Sequence, residues 1–152
     1  MAETRWLAEH ELQAWRNLNL MYSQLSGLLA RELAGSGLSY PDYLVLAMLS
    51  DLPDQRVRPS EMGCLLGWEK SRVSHHVARM ERRGLVGRER CPTDQRGWFI
   101  AMTDTGRAAI AAAAPEHVEA VRRHAIGLLT DDEIATLDRI SQKILDQLPR
   151  DG

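Results

Sequence analysis

With 152 residues, 44% of them hydrophobic and 26% charged, the chain has the usage of an ordinary globular protein, which disfavours collagen-like, disordered and disulfide-framework classes and fits one domain. A net charge of -2, from 19 Lys+Arg against 21 Asp+Glu, gives no sign of a polyanion partner on the total alone. No apolar run approaches the roughly 20 residues of a membrane span, so no membrane partner is expected. The opening Met-Ala-Glu-Thr-Arg-Trp lacks a basic region followed by an apolar stretch, which makes the cytoplasm the expected compartment.

In chain order, a first helix is predicted from about Thr4 to Ala34, stopped by Gly35-Ser36-Gly37. Trp15, Leu18, Tyr22, Leu25 and Leu29 recur along it at helical spacing and form a stripe that needs a partner. Ser39-Tyr40-Pro41-Asp42 reads as a cap, an early proline and a first-turn acid, opening a buried helix through 43–49. After a loop over 51–58, Pro59 begins a short helix that ends at Gly67. Ser71 then opens another, through Arg83, closed by Gly84. Two short helices joined by a Gly-containing turn make a helix-turn-helix. Leu85 to Arg90 and Trp98 to Met102 read as a hairpin with a polar tip over 91–97, a wing. Thr103 caps a further helix in which Pro115 should produce a kink or break. Thr130-Asp131-Asp132-Glu133 is a capping box before Ile134, Leu137, Ile140, Ile144 and Leu148 at helical spacing. The two ends thus carry more apolar stripe than a small domain needs, and mutual packing of two copies explains it economically. The fold class expected is mainly α with a small β-hairpin wing, a winged helix-turn-helix with N- and C-terminal dimerisation helices. Its parts are 1–37 (first dimerisation helix), 38–102 (DNA-binding lobe) and 103–152 (C-terminal dimerisation helices).

Charge is unevenly placed. Residues 56–96 hold ten basic side chains (Arg56, Arg58, Lys70, Arg72, Arg79, Arg82, Arg83, Arg88, Arg90, Arg96) and five acidic ones, a local balance of +5 that leaves -7 for the flanks. A positive centre between acidic ends fits a module that meets a polyanion locally, or a solvated basic face. On a wheel of the Ser71–Arg83 helix, Val73, Val77 and Met80 share one sector. Ser71, His75, Arg79 and Arg82 lie opposite, with Arg72 at the edge. One face packs and the other suits a major groove about 12 Å wide, where Arg grips guanine with two parallel hydrogen bonds. Ser71, Ser74, His75 and His76 complete the candidate DNA-binding set on this helix, His75 with a mild pH dependence. On the wing, Arg88 and Arg90 suit phosphates, and Asp94 is placed to hold Arg96 toward a narrow minor groove.

From Ser71-Arg72-Val73-Ser74-His75-His76-Val77-Ala78-Arg79-Met80-Glu81-Arg82-Arg83-Gly84-Leu85-Val86 through Asp94-Gln95-Arg96-Gly97 to Met102-Thr103-Asp104-Thr105-Gly106, the sequence resembles MarR-family winged helix-turn-helix transcriptional regulators. Leu38 to Leu46 and Arg58 to Leu66 extend the likeness to nearly the whole chain. The resemblance implies a homodimer built from first and last helices, with recognition helices in successive major grooves and wing arginines in minor grooves. It also implies repression relieved by a small, commonly phenolic effector bound between the dimer helices and the DNA-binding lobe. Trp15, Tyr22, Tyr43 and Trp68 are the candidate effector residues, with core or dimer interface as the competing reading. The double-stranded DNA partner puts the protein with the nucleoid. No cofactor is expected beyond that effector.

The redox-sensing branch of the family carries its reactive cysteine near the first helix, whereas no Cys here precedes Cys64. Cys64, among Met62, Leu65 and Leu66, reads as a small core residue, and Cys91 lies at the wing base. His117 and His124, seven apart, could be metal ligands but read better as a solvated face. Phosphate-cradling glycine loops and hydrolase signatures are absent from the sequence, so an enzyme is the thinner alternative, beside a winged-helix protein-interaction module.

Overall fold

The computed structural model describes residues 4–149, with the backbone alone for 94–96. Helix α1 spans Glu9–Leu33 and runs into a single 3-10 turn at Ala34–Ser36. It starts five residues later than the expected Thr4, where the Glu11 carboxylate accepts the Ala8 N–H at 2.8 Å. Helix α2 (Tyr40–Asp51) begins at the capping box read from sequence: Ser39 Oγ accepts the Asp42 N–H and Asp42 Oδ2 accepts the Ser39 N–H. Helices α3 (Pro59–Leu66) and α4 (Lys70–Arg82) form the helix-turn-helix. The chain leaves α4 through Gly84 at φ 72°, a left-handed conformation that costs glycine least.

The hairpin is longer and its tip tighter than expected. Strands β2 (Val86–Cys91) and β3 (Asp94–Met102) pair antiparallel, with Arg88 opposite Ile100, Arg90 opposite Trp98, and an irregularity between Arg90 and Cys91. A two-residue strand β1 (Arg56–Val57), read from sequence as loop, pairs with the outer side of β3, giving the order β1-β3-β2. Two residues are too few for alternation to show.

Helix α5 (Asp104–His124) runs unbroken through Pro115. The missing N–H removes one bond from a 21-residue helix whose Ala113 and Ala120 are buried, and packing along α1 and α2 outweighs that loss. Helix α6 (Asp131–Leu145) starts at the Thr130 capping box and buries none of its own residues.

The core is aliphatic: Val45, Leu46 and Leu49 of α2, Met62 of α3, Val73, Val77 and Met80 of α4, and Val57 and Ile100 of the sheet are buried. It lies under the helix-turn-helix and wing, so the recognition helix rests on a packed base. The turn between α3 and α4 closes on Gly63, where a Cβ would stand 2.8 Å from the Trp68 carbonyl oxygen. Gly63→Ala should therefore destabilise the fold by about 1 to 3 kcal/mol through overpacking. A thermal midpoint equal to wild type would contradict that contact.

Candidate nucleic-acid interface

Helix α4 divides as its wheel predicts. Val73, Val77 and Met80 are buried, while Lys70, Ser71, Arg72, Ser74, His75, Arg79 and Arg82 are exposed. His76 is the exception: at 4% exposure it lies inside the protein, which removes it from the outward set. The wheel held the clue, since His76 falls roughly 60° from Val73 at 100° per residue, on the packing side.

What surrounds His76 organises the interface. Asp42, 2% exposed, receives Arg83 Nη1 at 2.6 Å on Oδ2 and approaches His76 Nε2 at 3.0 Å through Oδ1. The His76 approach lies off the ring N–H direction and is a close contact of a carboxylate with a neutral ring, not an aligned hydrogen bond. Arg83 also donates to the Gly37 carbonyl at 2.6 Å. His76 Nδ1 accepts from Arg79 Nη2 at 2.7 Å, and its ring meets Trp68 edge-on with centroids 5.2 Å apart. The face of the same indole lies 4.2 Å below the Arg72 guanidinium carbon. Burial alone would raise the Asp42 carboxyl, but hydrogen bonds from Arg83 and Ser39 and the Arg83 charge hold it below the ordinary value. His76 is pushed down, chiefly by desolvation and also by Arg79 and Arg72, against the pull of Asp42. Asp42 and Arg83 are missing from the sequence-derived site; 41 residues separate them, and local pattern carries no trace of their pairing.

On the wing, Arg88 Nε donates to both carboxylate oxygens of Glu81, at 2.9 and 3.1 Å, while its guanidinium lies over Trp98. Arg90 is exposed. Arg56 and Arg58 both lie over the Phe99 ring. The side chains of Asp94 and Arg96, paired in the sequence reading, lie outside the described residues. Cys91 is buried, with Arg58 Nη2 3.3 Å from its sulfur. Cys64 is exposed and is not a core residue; it stands two positions, roughly 200° around α3, from buried Met62.

The four aromatic residues assigned to an effector differ in placement. Trp15 and Tyr22 are exposed on α1, while Tyr43 and Trp68 are buried. Trp68 is occupied by Arg72 and His76. Tyr43 instead stacks on His117 of α5 with centroids 4.2 Å apart, and Tyr40 reaches the same ring at 6.0 Å. Burial raises both phenols, and Tyr40 is close enough to Tyr22 to be raised further by it. His117 and His124 are half-buried, not solvated: His124 Nε2 is 2.9 Å from Glu32 Oε1 of α1. Desolvation lowers His117. Among the described residues no cluster of three or more metal-ligating side chains occurs, and no helix is long and apolar enough to cross a membrane.

A three-stranded wing beside a helix-turn-helix whose second helix turns serine, histidine and arginine outward defines a winged-helix transcriptional regulator. A model of the MarR family matches residues 36–97. The fold is similar to AbsC, a MarR family transcriptional regulator from Streptomyces coelicolor, at 38% identity and TM-score 0.89, covering 94% of this chain and 97% of that one. It is equally similar to Sco3205 of the same organism, a MarR family regulator solved in complex with DNA, at 35% identity and TM-score 0.90, covering 96% and 92%. MgrA of Staphylococcus aureus, an HTH-type transcriptional regulator, is 33% identical over 109 residues, 71% of this chain and 70% of that protein. The chain belongs to the MarR family.

Linkage gives the buried charge cluster a pH signature. His76 binds its proton less readily folded than unfolded, so stability is full above the ordinary histidine value near 6.5 and declines as pH falls below it. Asp42, also depressed, contributes above the ordinary 3.8 and is lost at lower pH. The urea midpoint should therefore fall between about pH 7.5 and 5.5. Asp42→Ala should cost about 1 to 2 kcal/mol by removing the α2 capping box and the acceptor of the half-exposed Arg83, and a flat midpoint with a neutral variant would contradict the cluster.

Proposed function

We propose that the protein is a homodimeric, sequence-specific double-stranded DNA-binding regulator, a repressor in its simplest form, that works in the cytoplasm at the nucleoid and catalyses no reaction. The observation that carries this is the split of α4: Ser71, Arg72, Ser74, His75, Arg79 and Arg82 face outward from a helix whose other side is sealed into the core. With the wing beside it, that face fits the major groove, and Arg88, Arg90 and, from sequence and resemblance, Arg96 with its partner Asp94 reach the backbone and minor groove. The DNA complex of Sco3205 supports the same use of this chain.

The dimer reading rests on apolar surface left open at the two ends. Trp15, Leu18, Leu20 and Met21 of α1, and Leu137, Ile140 and Ile144 of α6, all remain 40% exposed or more. An isolated chain rarely leaves so continuous a stripe uncovered. Two-fold packing of these helices places the two α4 helices on half-sites about 34 to 36 Å apart. The resemblance puts a small aromatic effector between the dimer helices and the DNA-binding lobe, and the aromatic side chains that meet there are Tyr40, Tyr43 and His117, with Tyr22 near Tyr40. Trp15 is then dimer surface and Trp68 part of the reading head.

Duplexes selected from random sequence provide the test. The log of the affinity should fall linearly with log salt, by about 0.9 per phosphate neutralised. Arg72→Ala should weaken a selected duplex about tenfold more than a scrambled one, the lower end of one bidentate base contact. A flat salt response would point to a protein partner. Ending the chain after Thr130 should yield a monomer by light scattering with lost operator affinity; a monomer that binds operator at wild-type strength would contradict the dimer.

A further inference from the structure

We propose that His76 is a positioning residue for sequence readout: its neutral ring, wedged between Asp42 and Arg79, fixes where the Arg79 guanidinium points, and protonation of the ring uncouples the two. This rests on the reading above, that the outer face of α4 meets base pairs.

The geometry leaves the ring one tautomer. A guanidinium has donors and no acceptor, so the 2.7 Å approach of Arg79 Nη2 to Nδ1 requires a lone pair on Nδ1. The ring proton then sits on Nε2, which faces the Asp42 carboxylate at 3.0 Å. Asp42 is in turn held by Arg83 and by the Ser39 N–H, so a fixed carboxylate bounds the Nε2 edge of the ring without an aligned hydrogen bond, and Nδ1 on the other edge holds an arginine of the exposed face one turn away. An arginine held before binding gives up less conformational freedom on meeting its base. Trp68 extends the arrangement, with its edge on His76 and its face under Arg72. The same buried cluster therefore aims both arginines.

The charged groups facing the ring are Asp42 from α2, Arg72 and Arg79 from its own helix, and, through Asp42, Arg83 just beyond it. Protonation places an N–H on Nδ1, so two donors and two positive charges meet, and the Arg79 contact becomes repulsive. Asp42 keeps Arg83 and the helix cap. Acid thus loosens Arg79 while the clamp at the base of α4 holds. Desolvation places this change on the acid side of the ordinary histidine range.

The test compares affinities for a selected and a scrambled duplex of equal length, using the full chain from about pH 8 down to about pH 5. The proteins are wild type, His76→Leu, His76→Asn, whose side-chain oxygen takes roughly the place of Nδ1, and the same changes with Arg79→Ala. His76→Leu should lower the specificity ratio about tenfold, as expected for one hydrogen bond to a charged group. His76→Asn should keep most of the ratio and lose its acid decline. Salt slopes should stay as in wild type, because the number of arginines is unchanged. With Arg79→Ala present, neither His76 change should cost further specificity. A wild-type ratio constant over the pH range overturns the proposal, as does a His76→Asn loss equal to that of His76→Leu, or an undiminished loss without Arg79. If His76→Leu does not fold, His76→Asn and the wild-type titration decide. Salt-dependent binding that discriminates between duplexes without any His76–Arg79 coupling sinks this inference alone; no salt-dependent binding at all sinks the DNA reading with it.

Discussion

A carboxylate that is 2% exposed must be paired or take up a proton, and Asp42 stays charged through partners that tie the start of α2 to α4. Its oxygens meet Arg83 and His76, which lie at the end and on the inner side of α4, while its backbone and side chain cap α2. Hydrophobic contact through Val73, Val77 and Met80 holds α4 to the core but is tolerant of sliding and rotation. The Arg83 hydrogen bond to Asp42 is directional and pins the end of α4, and the carboxylate beside His76 closes the space into which the helix could turn. If α4 presents Arg72 and Arg79 to base edges as proposed, that second kind of restraint sets their aim.

The same residue sits beside the aromatic corner proposed above for an effector. Tyr40 and Tyr43 flank Asp42 on the first turn of α2 and meet His117 of α5, so the helix start that carries the aromatic wall also carries the clamp on α4. Between that corner and Arg79 lie one helical turn and two side-chain contacts, Asp42 to His76 and His76 to Arg79. Arg83 and His76 both contact Asp42 on the first turn of α2, so the proposed effector corner and the proposed reading face share one helix start.

Much of this was legible in the sequence where the signal is local. Ser39, Thr103 and Thr130 mark helix starts through short-range hydrogen bonds, Gly67 and Gly84 mark helix ends, and the α4 wheel separates Val73, Val77 and Met80 from the arginines. Readings failed where distant partners decide. His76 suits bases by type, yet it is buried against Asp42, thirty-four positions earlier. Trp68 looks like a pocket aromatic until Arg72 is seen above it. Cys64 sits among apolar neighbours in sequence but points away from them on the helix, and His117 and His124 find partners on α2 and α1. Pro115 is absorbed because the helix around it is long and packed. Two-residue β1 leaves no periodic trace.

The most direct measurement is a map of backbone amide shifts in isotope-labelled protein as a selected duplex is added. An α4 that reads bases predicts the largest changes over 70–82 and around the wing tip at 92–97, with α6 little affected. Changes concentrated on α1 and α6, with 70–82 unmoved at saturation, would contradict it.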